Sequence, residues 1–306
     1  MATPDIPGPA GGGRPATGTR PPANMEIVRL THWGRWVGAA IIIGILVALG
    51  FAFADAQILW EDIPDFFAFD VMIEGLWRTL GLAVAAQAGA TVIGVVIALL
   101  GRSANPVARW FAWGYIWIFR GLPVLLQILI WYNLALVFPV ISIPFVVDAP
   151  TNTVINAFAA ALLGLGLNES AYMAEIIRAG LNSVDRGQIE AAQSIGMTPG
   201  KTLIRVTLPQ AMRVIIPPTG NDFINMLKGT SIASVIPYVE LTKAASNIAS
   251  RNLEFMETLL AAAAWYMILV SIASVGQYYL ERSFDAADRA HRLRNKVGRS
   301  LKLGRA

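Results

Sequence analysis

The chain has 306 residues, 55% hydrophobic and 14% charged, where an ordinary soluble domain carries roughly a quarter of its residues as charge. It holds no cysteine and two histidines, His32 and His291, which excludes disulfides, iron–sulfur clusters, thiolate sites and cysteine nucleophiles, and leaves no basis for a histidine-rich metal centre. The apolar residues gather in long runs, and the net charge of +4 comes from Lys and Arg at the ends and in certain loops, so it bears on membrane topology rather than on nucleic acid.

Residues 1–30 are rich in Pro, Gly, Ala and Thr without an apolar period and read as a disordered cytoplasmic tail. With about 20 mostly apolar residues needed per span, six spans follow: 37–54, 78–101, 110–138, 154–177, 211–236 and 257–280. The first imitates a signal peptide, with Arg29 and Arg35 before it and Ala52-Phe53-Ala54 at its end. Such a leader would be unusually long, and we read a retained helix; cleavage would leave the other five spans oriented as before.

The acidic segment 55–75 carries Asp55, Glu61, Asp62, Asp65, Asp70 and Glu74 and no base, and 139–152 also lacks one. Segments 101–109, 178–209 and the tail after 281 are basic, so the positive-inside rule places both termini and the 178–209 loop in the cytoplasm. The exception is 238–257, with Lys243 and Arg251 outside, where acids offset them. Trp33, Trp36, Trp60, Trp110 and Trp113 fall near span ends as interfacial anchors. In the second span Gly81, Ala85 and Gly89 recur every four residues, with Ala86, Ala90, Gly94 and Ala98 beside them, a spacing that allows close helix approach.

Ionised groups at membrane depth should face protein or water. Arg120, just before Gly121 and Pro123, predicts a kink in the third span; it either lines a solute pathway or binds a carbonyl or carboxylate. Asn168, Glu169 and Ser170 lie in the fourth span, with Glu169 a solute contact or the partner of another span. Glu175 and Arg178, three apart, read as an internal ion pair. In the fifth span, Pro217-Pro218-Thr219-Gly220-Asn221-Asp222 predicts a broken helix with free backbone groups at midplane. Lys228, Thr230 and Ser231 follow and could form a gate, or Lys228 could pair with Asp222 or Glu169.

The loop Asp185–Pro209 has its own architecture. Asp185 reads as a helix cap with Gln188 completing a capping box. Gly196 ends that helix in a left-handed position, and Thr198 and Pro199 start another. Taken by itself this is a stiff helix–turn–helix between two spans, open to an ordinary polar-loop reading. Its spelling adds more: Glu190-Ala191-Ala192, then Gly196, then Val206-Thr207-Leu208-Pro209 resembles the EAA loop of importer permeases of the ATP-binding-cassette (ABC) superfamily. Phe119-Arg120-Gly121-Leu122-Pro123 with Leu125-Leu126-Gln127, Leu167-Asn168 with Ala174 to Gly180, and Leu227 to Ile236 resemble the polar amino-acid branch. The resemblance covers about 72–281; Gly229, where many relatives carry an acid, and the doubled proline depart from it.

That resemblance implies an all-α integral membrane protein with the type I importer permease fold, five core helices plus one extra at the N-terminus. The expected layout is a tail at 1–30, an extra helix and external loop at 31–71, a core at 72–281 with the EAA loop at 183–209, and a basic cytoplasmic tail at 282–306. Gln188, Glu190, Ala191, Ala192, Ile195, Gly196 and Pro209 would couple to a separate ATPase subunit. Arg120, Asn168, Glu169, Asn221, Lys228, Thr230 and Ser231 would line the pathway. No P-loop occurs, so ATP and magnesium would be bound by that partner and this chain would bind no cofactor or metal and catalyse nothing. Further partners would be an external solute-binding protein, a second permease subunit and the lipid of a bacterial inner membrane. The solute would be a polar or charged amino acid, with ectoine or an opine as related alternatives. A secondary transporter would need inverted repeats, which are not seen, and a membrane enzyme would need a catalytic constellation, which is absent.

Overall fold

A computed structural model describes residues 33–56, 58–145 and 147–303, with side chains beyond 284 and those of Ile143 and Val147 left aside. The expected tail at 1–30 therefore lies outside the described residues. The chain divides into two units, residues 1–57 and 58–306. The first holds α1 (Trp33–Ala54), 22 residues without a charge after Arg35, about 33 Å long and enough to cross a bilayer.

The second unit is helical apart from one ribbon. After the short α2 (Ile63–Ala68), α3 (Asp70–Gly101) runs for 32 residues. Asn105 accepts the Val107 N–H at 2.9 Å and Pro106 occupies the first turn, which starts α4 (Pro106–Gly121). The chain then turns by 100° into α5 (Val124–Tyr132). The kink foreseen at Arg120–Pro123 is there, but it is sharp enough to divide the third expected span into two helices. A two-stranded antiparallel ribbon, β1 (Val140–Ile143) and β2 (Val147–Pro150), pairs Val140 with Pro150 and leads through α6 (Thr151–Val154) to α7 (Ala157–Asn182). Asn156 caps α7 by accepting the Ala159 N–H.

The loop region supplies α8 (Arg186–Ser194) and α9 (Pro199–Thr202), a π turn at Leu203–Thr207, and then α10 (Leu208–Gly229). A 3-10 turn, Thr230–Val235, precedes α11 (Leu241–Asn252) and α12 (Phe255–Leu303). By length and composition α1, α3 and residues 255–284 can each cross a membrane, and the bent α4–α5 pair makes a fourth. The continuous helices α7 and α10 are about 39 and 33 Å long, but they are less apolar, because they carry the polar residues discussed below.

The expected break at 217–222 is not observed. Pro217 and Pro218 lie inside the continuous α10. Proline removes an N–H from the ladder, and such helices persist in membranes when neighbours support the freed groups. Beside the prolines, Gln277 of α12 donates from Nε2 to the Pro217 carbonyl at 2.8 Å, and the Thr219 hydroxyl donates to Ile215 O, each an added bond to a carbonyl of the continuing ladder. A Cβ on Gly220 would run into the Gln277 side chain, so the missing side chain is what admits the brace. The helix ends instead at Gly229.

The core follows the α3–α7 seam. Leu82, Ala86, Ile128, Leu165 and Leu227 form one cluster, and Ala90, Ala98, Met173, Ala174 and Ile215 a second. Of the two small-residue rows on α3, the second makes the close approach: a Cβ on Gly94 would stand 2.7 Å from Met173 Cβ and 3.1 Å from Ser170 O. Gly81 and Gly89, on the other row, have open space beside them. A third cluster joins Phe66, Met72, Leu241, Ala245 and Ala261.

Candidate coupling loop and solute route

The loop folds as its caps dictate. Asp185 Oδ1 accepts the Gly187 N–H at 2.6 Å and Thr198 Oγ1 that of Lys201 at 3.5 Å. The reciprocal bond from the Gln188 side chain is not among those of the described residues; Gln188 enters the helix through its backbone N–H to Asp185 O. Gly196 has φ +84°, a conformation that costs an L-residue about 1–2 kcal/mol. Gln188, Glu190, Ala191, Ile195, Gly196 and Pro209 are exposed. Ile195 is 81% exposed, which is unusual for a large aliphatic side chain on a tight polar loop. Ala192, expected among the coupling residues, is instead buried.

The polar residues of the spans form two adjacent groups and an outlying one. In the first, the 100° bend frees backbone groups near Phe119 and Leu122. Asn168 Nδ2 donates to Phe119 O at 2.6 Å, and Gln127 Nε2 donates to both Phe119 O and Leu122 O at 3.0 Å. Asn168 therefore braces the bend. Arg120 projects into an open groove of about 460 Å³ formed with Trp113, Trp117, Tyr172 and Glu175, its guanidinium 4.8 Å above the Tyr172 ring, within cation–π range. Glu175 is occupied by Arg178 in the expected i,i+3 pair.

The second group faces the other way. Glu169 on α7 meets Asp222 on α10, carboxyl to carboxyl. Glu169 Oε1 and Asp222 Oδ2 are both sealed from solvent without a protein donor. Two carboxylates have acceptors only, so this contact needs a proton or a cation between them. Sequence reasoning placed Asp222 within a helix break or as a partner of Lys228, not on the solute route; the cost argument that singled out Glu169 applies to it equally. Tyr172 was also missed, although it follows Asn168 by four residues and so shares its face.

The outlying residues lie on other faces of α10 and in the turn just beyond it. Asn221 and Lys228 are exposed, and no ion pair to Lys228 occurs among the described residues. Thr230 donates to Leu227 O and Ser231 to Lys228 O, each at 2.7–2.8 Å. Lys228 is six residues beyond Asp222 on a continuous helix, about 9 Å away along the axis. Of the residues expected to line the pathway, Arg120 and Asn168 thus lie at the bend, Glu169 faces α10 and Asn221 is exposed on α10, so the four do not form one group. Among the described residues no group of acids and histidines is suited to a metal ion.

Comparison with known proteins covers these elements. A family described as binding-protein-dependent transport system inner membrane component matches residues 90–286, from the middle of α3 into α12. The chain is 41% identical over 273 residues to the arginine transport system permease protein ArgU of Corynebacterium glutamicum, covering 89% of this chain and 86% of that one. It is 42% identical over 217 residues to the probable amino-acid permease protein YxeN of Bacillus subtilis, covering 71% and 92%, and 36% identical over 227 residues to the L-cystine transport system permease protein TcyB of the same organism, covering 74% and 91%. Among solved structures, an amino acid ABC transporter crystallised with histidines aligns with TM-score 0.65 and 36% identity, covering 74% of this chain and all of that one. The inward-facing MetNI methionine transporter, at TM-score 0.58 and 17% identity, covers 70% and 96% and shares the fold. The chain is a multi-pass membrane protein with the type I ABC importer permease fold, has no enzymatic activity of its own, and belongs to the family of binding-protein-dependent transport system inner membrane components.

Proposed function

We propose that this chain forms half of the translocation pathway of an ATP-driven importer for a polar or charged amino acid, and that α8 couples it to a separate ATPase subunit. The observation that carries the reading is α8 itself, a capped helix closed by a left-handed glycine, exposed along one edge and resting on the turn that leads into α10. The partners follow from the family: an ATPase subunit that holds ATP and magnesium, an external binding protein and a second permease subunit. In this reading 72–281 is the translocating core, both termini lie on the ATPase side, and the membrane is a bacterial inner membrane.

Cationic amino acids fit the route best. The Glu169–Asp222 contact calls for a positive group, and an ammonium or guanidinium bearing several donors suits facing carboxyls. Arg120, held over Tyr172 in a neighbouring groove, offers a partner for the solute carboxylate. Asn221 and Lys228 extend the route along α10, while Thr230 and Ser231 fix the end of that helix. The arginine system named among the relatives supports the same class.

Gly196→Val tests the coupling. Nothing lies within 4 Å of a Cβ at this position, so the substitution strains the turn without a clash. The expected result is an assembled complex whose ATP hydrolysis no longer responds to binding protein loaded with L-arginine. Stimulation at the wild-type level would reject the coupling role, and failure to co-purify with any ATPase subunit would reject the function.

A further inference from the structure

Between the coupling loop and α10 the backbone leaves the α pattern. In the π turn Leu203–Thr207, the Leu208 N–H donates to Leu203 O, five residues back rather than four. Such a turn winds in one residue more than an α turn and is rare away from functional positions. Pro209 contributes to it. Having no N–H, it leaves the Arg205 carbonyl without its partner four residues on, and beside this gap the Gln210 side chain donates to Val206 O at 3.0 Å.

The surroundings of the turn are unequal. α8 and α9 pack directly on it, with Thr202 and Thr207 buried there. On the opposite side Leu203, Ile204 and Leu208 border an apolar cavity of about 340 Å³ that reaches Leu99 on α3 and Leu181 on α7. The turn is pressed from the coupling side and has room to yield on the other.

We propose that the π turn at Leu203–Thr207 is the hinge of the coupling pathway. A push on α8 moves Leu203 and Ile204 into the cavity, and the extra residue in the turn takes up the displacement, so that α10 shifts as a unit and its proline-containing centre stays intact. The inference rests on the coupling role of α8 proposed above.

The absence of cysteine allows a direct measurement. Spin labels on a Leu99→Cys, Ile204→Cys variant, in the complex assembled with its ATPase subunit, report the distance across the cavity. Between the nucleotide-free state and the state bound to a non-hydrolysable ATP analogue, that distance should shorten by roughly 2 Å, the scale of helix shifts in switching proteins. An unchanged distance overturns the proposal. Deleting Val206 converts the π turn to an α turn with both flanks kept in register. It should reduce stimulation of ATP hydrolysis by L-arginine-loaded binding protein about tenfold. Stimulation at the wild-type level in an assembled deletion variant also overturns the hinge; where the deletion variant does not assemble, the label distance decides. A wild-type response from Gly196→Val, by contrast, rejects the coupling role of α8 itself.

Discussion

Glu240, the N-cap of α11 at the corner where that end of the helix meets Tyr266 of α12, is fully buried and has every demand met. It accepts the N–H groups of Thr242 at 2.9 Å and Lys243 at 2.7 Å, and the Tyr266 hydroxyl at 2.8 Å. Burial pushes its carboxyl above the ordinary range, and the donors from Thr242 and Lys243 hold that rise back. Glu169 is less buried, yet the protein group that meets it is another acid, and one oxygen on each side has no protein donor. Burying a polar group is costly unless a partner is supplied. At the α11–α12 corner the fold supplies all the partners, so Glu240 belongs to the scaffold. At the α7–α10 seam the fold withholds them, which suits a place kept for something brought in from outside.

The largest effect that would break this contrast is expected from Glu240→Ala. It removes the cap of α11, leaving the Thr242 and Lys243 N–H groups without their acceptor and costing the Tyr266 hydroxyl its carboxylate partner, a loss of about 3 kcal/mol or more. The expected outcome is a clear fall in the unfolding temperature of the detergent-solubilised protein. An unchanged temperature would mean the corner is not scaffold. Glu169→Gln sharpens the other side. Glutamine keeps a hydrogen bond to Asp222, so folded complex should remain abundant while the KM for L-arginine uptake rises about tenfold, the scale of a lost charge-assisted contact. Reduced abundance with unchanged KM would make Glu169 scaffold as well. Asp222→Asn should raise KM by a similar factor, and a change confined to Glu169 would leave Asp222 outside the route.

The smallest effect is a pH dependence at the corner. A carboxyl whose folded value lies above its unfolded value favours the fold while protonated. Its contribution is complete below the ordinary carboxylate range and is lost as pH rises through the raised value. Unfolding temperature should therefore fall with rising pH more steeply in the wild type than in Glu240→Gln. Parallel profiles would show that this group does not titrate with folding.

What could be read in the sequence was local. The caps at Asp185 and Thr198, the left-handed Gly196 and the i,i+3 pair of Glu175 with Arg178 all depend on residues within a turn or two of each other. The bend at Arg120–Pro123 was legible for the same reason, but its 100° sweep was not, because Asn168, 49 residues away, holds it. Pro217 and Pro218 misled for a related cause. Their local signature is a break, yet α10 runs on through them, packed against α12 with Gln277, 60 residues downstream, bonded to the Pro217 carbonyl. The π turn escaped notice since Pro209 reads equally well as the end of a motif. The Glu169–Asp222 contact needs the packing of α7 on α10, which no spacing along either helix discloses.

Gly196 and Gly220 have opposite consequences for genetic rescue. At Gly220 the three atoms nearest an added Cβ all belong to the Gln277 side chain, so a defect from Gly220→Ala should yield second-site revertants at codon 277, where a shorter residue restores the space. At Gly196 the obstacle is the backbone angle and nothing adjoins the position. No trimming of a neighbour within this chain can relieve it, and suppressors of Gly196→Val should be true revertants or, on the proposed coupling role, lie in the gene of the ATPase subunit.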